Sequence, residues 1–316
     1  MKLLGMAAIA AAIIAGAAVA VTAALHFRAT ASRPVVGPPP VSATLPAAPQ
    51  SYLGVYLPGV PDSYAGVPTF TKTTGVKPDV LAYYSGWLEP FRAAFAVAAA
   101  RQGAIPLVQI DPDGTDLAAI ASGRYDPYLA AYASAVRSYR LPVILGFGHE
   151  MNGSWQSWGY KHESPAEFVA AWRHIVSLFR RLGAGNVTWL WTVNVIEERG
   201  DIPSPVPWWP GSRYVTWVGI DGYYPTSSTT FASLFGPTIV TVRKLTGDPI
   251  LIAETGVATA AGQPGRIADL FAGIRTYGLL GFTWFDALGK QDWRLTGPAA
   301  VAALRRGAEA YHRVGS

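Results

Sequence analysis

Short apolar runs alternate with amphipathic stretches along most of the chain. Each run is followed by polar or aromatic residues, and eight of them predict strands at Tyr52–Tyr56, Val80–Tyr84, Pro106–Ile110, Val143–Phe147, Val187–Val193, Trp217–Ile220, Ile250–Ala253 and Gly281–Phe285. Strands that are apolar throughout are typical of a parallel sheet covered by helices. The pattern therefore predicts an α/β fold.

Helix signals lie between several of these strands. Ser164 and Pro165 are typical of a helix start, and the apolar period that follows them continues to Gly183. The same period predicts helices over Leu88–Arg101, Tyr128–Tyr139, Phe231–Leu245 and Ile267–Tyr277. Eight strand–helix units of about 33 residues each fit a closed (β/α)8 TIM barrel. The alternative is an open doubly wound sheet, but no glycine-rich phosphate loop follows the first strand.

The N-terminus differs from this pattern. Leu3–Leu25 is an uncharged run that could span a bilayer, so residues 1–31 are either a cleaved signal peptide or a membrane anchor. Both alternatives place the rest of the chain outside the cytoplasm, secreted or tethered. Residues 32–50 are rich in proline and predict a semi-extended linker. The folded domain is expected over residues 51–316.

Composition removes several classes of protein. Half of the 316 residues are hydrophobic and only 14% are charged, which excludes a disordered chain. The net charge is +5, yet the basic residues form no stripe, so no nucleic-acid partner is expected. The absence of cysteine excludes thiolate zinc sites and cysteine nucleophiles. We expect no metal and no cofactor, because the five histidines are also scattered.

Polar and aromatic residues follow the predicted strands. In a barrel of this kind the chemistry lies where the strands end. The residues at those ends are Trp87, Asp111, His149, Glu150, Asn194, Asp221, Tyr223, Glu254 and Asp286. The sequence therefore predicts an acidic ring with aromatic neighbours at one end of the barrel.

Two glutamates of this ring suggest glycosidic bond cleavage. Glu150 follows the fourth strand and Glu254 ends the seventh. One carboxylic acid can protonate the leaving oxygen while a second carboxylate acts at the anomeric carbon. A separation of about 5–5.5 Å would retain the anomeric configuration, and about 6.5–9.5 Å would invert it.

Many of the eleven tryptophans are placed to support a saccharide site, because an indole face packs on the C–H face of a sugar. Those at strand ends or in loops are Trp87, Trp155, Trp158, Trp208, Trp209, Trp284 and Trp293. In contrast, Trp172, Trp189 and Trp217 occur at core-facing spacings. The first set favours a sugar cleft, and the second is expected in the core.

One segment resembles a known family. His149-Glu-Met-Asn-Gly-Ser-Trp-Gln-Ser-Trp-Gly159 is similar to the acid/base segment of glycoside hydrolase family 26, best known for endo-β-1,4-mannanases. The similarity continues in Tyr214-Val-Thr-Trp-Val-Gly-Ile-Asp-Gly-Tyr223, Ile252-Ala-Glu-Thr-Gly256, Phe282-Thr-Trp-Phe-Asp286 and Asp292-Trp-Arg294.

The resemblance implies a retaining mechanism with Glu150 as acid/base and Glu254 as nucleophile. It implies that His149 contacts substrate, that Tyr223 hydrogen-bonds the nucleophile, and that Trp155 and Trp284 line the sugar subsites. Trp87 and Asn152 are further expected substrate contacts.

The predicted protein is thus a monomeric β-glycanase, most simply a mannanase acting on internal β-1,4 bonds. The same mechanism on β-1,3-xylan or mixed-linkage β-glucan is one alternative. A non-catalytic polysaccharide-binding barrel is the other. The partner expected in every case is a polysaccharide.

Overall fold

The computed structural model describes residues 41–197 and 202–312. The predicted signal peptide or anchor and the first part of the predicted linker, residues 1–40, lie outside the described residues. No helix within the two described ranges has the length and hydrophobicity needed to span a bilayer.

Eight parallel strands close into a barrel, which confirms the predicted fold class. Their order around the barrel is the order along the chain, and the last strand pairs with both the first and the seventh. The strands are β1 (Tyr52–Tyr56), β2 (Val80–Gly86), β3 (Ile105–Asp111), β4 (Val143–Phe147), β5 (Val187–Asn194), β6 (Trp217–Asp221), β7 (Ile250–Thr255) and β8 (Gly281–Phe285).

Helices cover the outside of the barrel. They are α1 (Gly66–Thr74), α2 (Ala93–Arg101), α3 (Leu117–Ala121), α4 (Asp126–Tyr139), α5 (Pro165–Arg181), α6 (Phe231–Leu245), α7 (Gln263–Thr276) and α8 (Gly297–His312). Between β5 and β6 the described residues contain only two 3₁₀ turns, Val206–Trp208 and Ser212–Tyr214. The fifth unit therefore departs from the strict strand–helix alternation.

Local chemistry explains where the helices begin. The Ser164 side chain accepts from the Glu167 amide, and Glu167 bonds back to Ser164, so the predicted start of α5 is confirmed. Such a cap stabilises a helix by about 1 kcal/mol. The prediction for α2 was wrong at its start, because Leu88 has a left-handed backbone (φ 70°) and Pro90 disfavours helix in the residue before it.

Alternation along the strands separates two cores. Side chains inside the barrel include Tyr52, Val80, Ala82, Leu107, Ile144, Leu190, Trp217, Leu251, Ala253 and Leu280. The opposite strand faces pack against the helices, where Trp172 and Trp189 are buried as expected. This alternation continues to the strand ends and decides which residues there face the barrel mouth.

The end of the predicted linker belongs to the folded unit. Val41–Ser42 pairs in parallel with Ala184–Gly185. Leu45 packs on the cluster inside the barrel, and the Tyr52 hydroxyl donates to the Pro46 carbonyl at 2.7 Å. The packed chain therefore begins no later than Val41, about ten residues before the predicted boundary.

Candidate active site

Glu150 lies in a sharp turn directly after β4. Its φ is 53°, a left-handed conformation that a residue with a Cβ rarely adopts. The turn is held by the Glu150 amide, which donates to the Thr192 carbonyl on β5 at 3.0 Å. Gly148 precedes it at φ 56°, where a Cβ would lie 2.9 Å from the Phe168 ring. Strain of this kind is typical of functional sites and is sustained by the surrounding packing.

The Glu150 carboxylate accepts two hydrogen bonds and is 8% exposed. The Trp155 indole donates to Oε2 at 2.6 Å. The Asn194 amide, at the end of β5, donates to Oε1. Each oxygen therefore has one fixed donor, which orients the carboxylate at the barrel mouth.

Glu254 is turned into the barrel by an irregularity in β7. Gly219 of β6 pairs with Leu251, but Asp221 pairs with Glu254 instead of Ala253, so one extra residue is inserted. Without that insertion strict alternation would place Glu254 on the outer face. The tyrosine hydroxyls of Tyr84 and Tyr223 donate to Oε1 and Oε2 of the carboxylate.

The electrostatics of Glu254 combine opposing effects. Burial and the Glu150 charge raise the pKa of Glu254, whereas the His149 charge and the bonds from Tyr223 and Tyr84 lower it. The net direction is upward. Burial and the Glu254 charge raise the pKa of both phenols well above their usual value, so both remain donors.

A third carboxyl stands beside the two glutamates. Asp221 ends β6, is 1% exposed, and is the register partner of both Asn194 and Glu254. Burial, followed by the charges of Glu254 and Glu150, raises its pKa well above the usual aspartate value. Burial and the two neighbouring charges therefore favour the protonated form of Asp221.

His149 is oriented by a charge on the neighbouring strand. Its Nδ1 lies 2.9 Å from Oδ1 of Asp111, the last residue of β3. Its carbonyl accepts from the Trp158 indole at 2.9 Å. Burial lowers the pKa of His149, but Asp111 and then Glu150 and Glu254 outweigh it and raise the pKa to about 9.

Aromatic rings surround the carboxylates. Tyr56 and Phe285 stack at 4.6 Å on one side, and Tyr223 and Trp293 lie 4.5 Å apart. Trp155 is 41% exposed, so its ring is open to a ligand. Trp293 is buried, whereas the partly exposed rings of Tyr56, Tyr223, Phe285 and Trp155 can pack against sugar rings.

One contact crosses the barrel mouth. The Lys290 ammonium lies 4.9 Å from the Trp155 ring centroid. Lys290 belongs to the loop after β8 and Trp155 to the loop after β4, and these strands stand on opposite sides of the barrel. The loops therefore meet above the site through a cation–π contact.

The structure brings together five of the eight predicted site residues: His149, Glu150, Trp155, Tyr223 and Glu254. Their individual roles stay predictions. Asp111, Asn194 and Asp221 also belong to the predicted ring of strand-end residues and lie in the site.

The other three predicted residues are placed differently. Trp284 is fully buried on the outer face of β8, because alternation puts Phe285 at the mouth instead. Asn152 has no exposed surface, and its side chain bonds the Asn194 backbone. These placements argue against substrate contact by Trp284 and Asn152.

Trp87 and Asp286 directly follow β2 and β8. Trp87 is half-buried and packs edge-on against Tyr125, Tyr128 and Phe147. Asp286 accepts from the Leu295 amide at 2.6 Å and so anchors the loop after β8.

Sequence reasoning missed Tyr84 and Phe285. The strand pattern contained a signal for each residue. Val80 and Ala82 face the barrel interior, and Tyr84 continues their period of two. Phe285 follows Gly281 and Thr283 in the same way. A strict count of strand parity would have found both residues.

A closed barrel with two buried glutamates at the ends of β4 and β7 is the arrangement that the sequence resemblance implies for a glycosidase. The model of the family described as glycosyl hydrolase family 26 matches residues 113–261, a segment that contains both glutamates. The predicted resemblance to family 26 is therefore confirmed over this segment.

Relatives and solved structures agree with this resemblance. Endoglucanase H of Acetivibrio thermocellus is 29% identical over 256 residues, which cover 76% of this chain and 28% of that protein. A mannan endo-1,4-β-mannosidase of Bifidobacterium adolescentis is 29% identical over 155 residues, 47% of this chain and 15% of that protein. The chain thus spans less than a third of either relative.

The fold is shared with a modular endo-β-1,4-mannanase from Cellulomonas fimi. The TM-score is 0.64 at 17% identity, and the match covers 82% of this chain and 70% of that one. At this identity the likeness concerns the fold.

Proposed function

We propose that this chain hydrolyses internal β-1,4-mannosidic bonds of mannan-type polysaccharides with retention of configuration. The observation that carries the proposal is the pair of buried glutamates, each held by its own two donors at the same barrel mouth. The mannanase relative supports the choice of substrate.

In this mechanism Glu254 attacks the anomeric carbon as a carboxylate while Glu150 protonates the leaving oxygen. The sugar–oxygen bond breaks and a glycosyl ester with Glu254 forms. Glu150, now ionised, takes a proton from water, and the resulting hydroxide attacks the same carbon and releases Glu254. The hydrogen bonds from Tyr84 and Tyr223 stabilise Glu254 in the ionised form that both the attack and the release require.

The first test is the release of reducing ends by the full chain from mannan, glucomannan, β-1,3-xylan and mixed-linkage glucan. Glu254→Ala should abolish release. Glu309→Ala changes an exposed glutamate of α8 and should not affect it. Activity that persists in Glu254→Ala would refute the nucleophile assignment, and saturable polymer binding without release would identify a binding module instead.

The acid role of Glu150 needs a separate test. Glu150→Ala should slow polymer hydrolysis far more than hydrolysis of aryl glycosides with good leaving groups, which need little protonation. Equal losses on both substrates would contradict that role. NMR of the first product should show the β-anomer; an α-anomer would overturn retention.

A second candidate is the same chemistry on a β-glucan, which the endoglucanase relative favours. Release from mixed-linkage glucan with none from mannan would select it.

An extracytoplasmic location is also proposed, and the hydrophobic run Leu3–Leu25 supports it. Fractionation of expressing cells, combined with N-terminal sequencing of the product, distinguishes a cleaved signal from a retained anchor.

A further inference from the structure

The Asp111–His149 pair is built into the wall of the site. Asp111 ends β3, and its carboxylate meets His149 Nδ1 at 2.9 Å, with side-chain exposures of 20% and 8%. The imidazole packs between the rings of Tyr84, at 5.3 Å, and Trp158, at 5.7 Å. The ring is therefore fixed in position, and its second nitrogen, Nε2, faces the Gln156 side chain at 3.4 Å.

Two protonation states fit this geometry. In both, Nδ1 carries a proton that it donates to Asp111. A neutral ring would accept at Nε2 from the Gln156 amide nitrogen. A cationic ring would donate from Nε2, either to the Gln156 oxygen after rotation of the amide or to a substrate hydroxyl.

The charged groups around His149 favour the cation. Asp111 faces it from β3, Glu150 follows it in the chain, and Glu254 acts on it from β7. The neutral Tyr84, Trp158 and Gln156 supply further contacts. The three carboxyl groups that act on the ring all stabilise its charged form.

We propose that Asp111 is a positioning residue for the reaction: it orients His149 and keeps it an imidazolium, so that a cation stands beside both glutamates. This inference rests on the proposed function for its catalytic meaning. The cation favours the ionised form of Glu254, the form that attacks, and offers a charged Nε2–H to the substrate.

The chain contains a matched control. His174 Nε2 lies 2.6 Å from Asp126 Oδ1, a second aspartate–histidine pair, formed between α4 and α5 on the outer layer. Asp111→Asn and Asp126→Asn each remove one charge and keep an acceptor oxygen for the histidine. A loss that comes from weakening any aspartate–histidine pair would appear in both variants.

The direct measurement is a titration of the histidine side chains by ¹⁵N-edited NMR, with the His149 signal assigned from its absence in His149→Gln. This measurement needs no activity, so it remains informative if the proposed function fails. His149 should titrate near pH 9 in the unmodified chain. In Asp111→Asn the pKa of His149 should fall by about 1–3 units, and in Asp126→Asn it should not change.

The kinetic measurement uses a dinitrophenyl glycoside of the accepted sugar, whose leaving group needs no proton from Glu150. The alkaline limb of kcat/KM then reports His149 and should move down by about 1–3 pH units in Asp111→Asn. In His149→Gln this limb should be absent, and adding Asp111→Asn to that variant should not change the pH profile further.

Three results would overturn the proposal. They are a wild-type His149 that titrates at or below 6.5, a His149 pKa that is the same in Asp111→Asn, and a uniform rate loss with an unmoved alkaline limb. If Asp111→Asn does not fold, as judged by thermal unfolding, the wild-type titration still decides. Asp111→Glu, which retains the charge, should then keep the high pKa.

Discussion

Replacement of Tyr84 by phenylalanine isolates one hydrogen bond to Glu254. Tyr84 donates from the end of β2 to Oε1 of the carboxylate, and its own raised pKa keeps it protonated. A hydrogen bond to a charged group contributes about 1.5–3 kcal/mol. Since one pKa unit corresponds to about 1.4 kcal/mol, its loss should raise the pKa of Glu254 by about 1–2 units.

The direction of the pKa shift follows from which protonation state of Glu254 the Tyr84 hydroxyl stabilises. The Tyr84 hydroxyl bonds the ionised carboxylate, so removing it makes protonation easier. The proposed nucleophile acts only when ionised, and activity is therefore lost at a higher pH as the solution is acidified. The wild-type acid limb should already lie above 4.5, because the pKa of Glu254 is raised.

The assay is the pH dependence of kcat/KM, which reports the groups of the free enzyme. Its acid limb should move up by about 1–2 pH units in Tyr84→Phe. The apparent value belongs to the whole carboxyl cluster rather than to Glu254 alone.

Tyr83→Phe is the matched control. Tyr83 is the preceding residue, but it faces the outer layer and packs against Phe95 at 5.4 Å. This variant should leave the acid limb in place. The reasoning is refuted if Tyr84→Phe also leaves the limb unmoved or moves it to lower pH.

The remaining predictions concern packing. Trp284→Ala should lower the free energy of unfolding by about 3–5 kcal/mol, because Trp284 is fully buried, and denaturant titration measures this loss. Phe285→Ala should mainly raise KM, which steady-state kinetics measures. The opposite pattern would contradict the strand faces assigned to the two residues. Gly146→Ala should lower the free energy of unfolding by about 1–3 kcal/mol, because the added Cβ would lie 1.8 Å from the Gln109 side chain. An unchanged Tm would contradict this clash and show that Gln109 can move. Deletion of residues 41–50 should lower Tm without changing the pH profile of the remaining activity, because this segment packs at the barrel end opposite the site; a Tm equal to that of the full chain would contradict its packing.

The barrel was predictable because its strands follow a simple rule. Runs such as Val143–Phe147 are apolar on both faces, and three of the eight predicted strands match the observed bounds. The start of α5 was equally predictable, because Ser164 and Glu167 form their capping box within four residues. Local chemistry of this kind acts over one or two turns and needs no knowledge of the rest of the fold.

The site was predictable only in part. Placing polar residues at strand ends was enough to find Glu150, Glu254, His149 and Tyr223. It could not separate Trp284 from Phe285, because the apolar face and the mouth differ by one position along the strand. It also could not show that Asn152 is enclosed, since enclosure depends on Asn194, which lies 42 residues away in the sequence.

What the sequence alone determined is the periodic part of the protein: eight apolar strands, the helices that cover them, and the chemistry available where the strands end. The tertiary structure decided how those strand-end side chains are oriented. The extra residue in β7 turns Glu254 inward, and the left-handed turn at Glu150 is held by a bond from β5. Both features depend on the register between strands distant in sequence, and strand register is fixed only when the barrel closes.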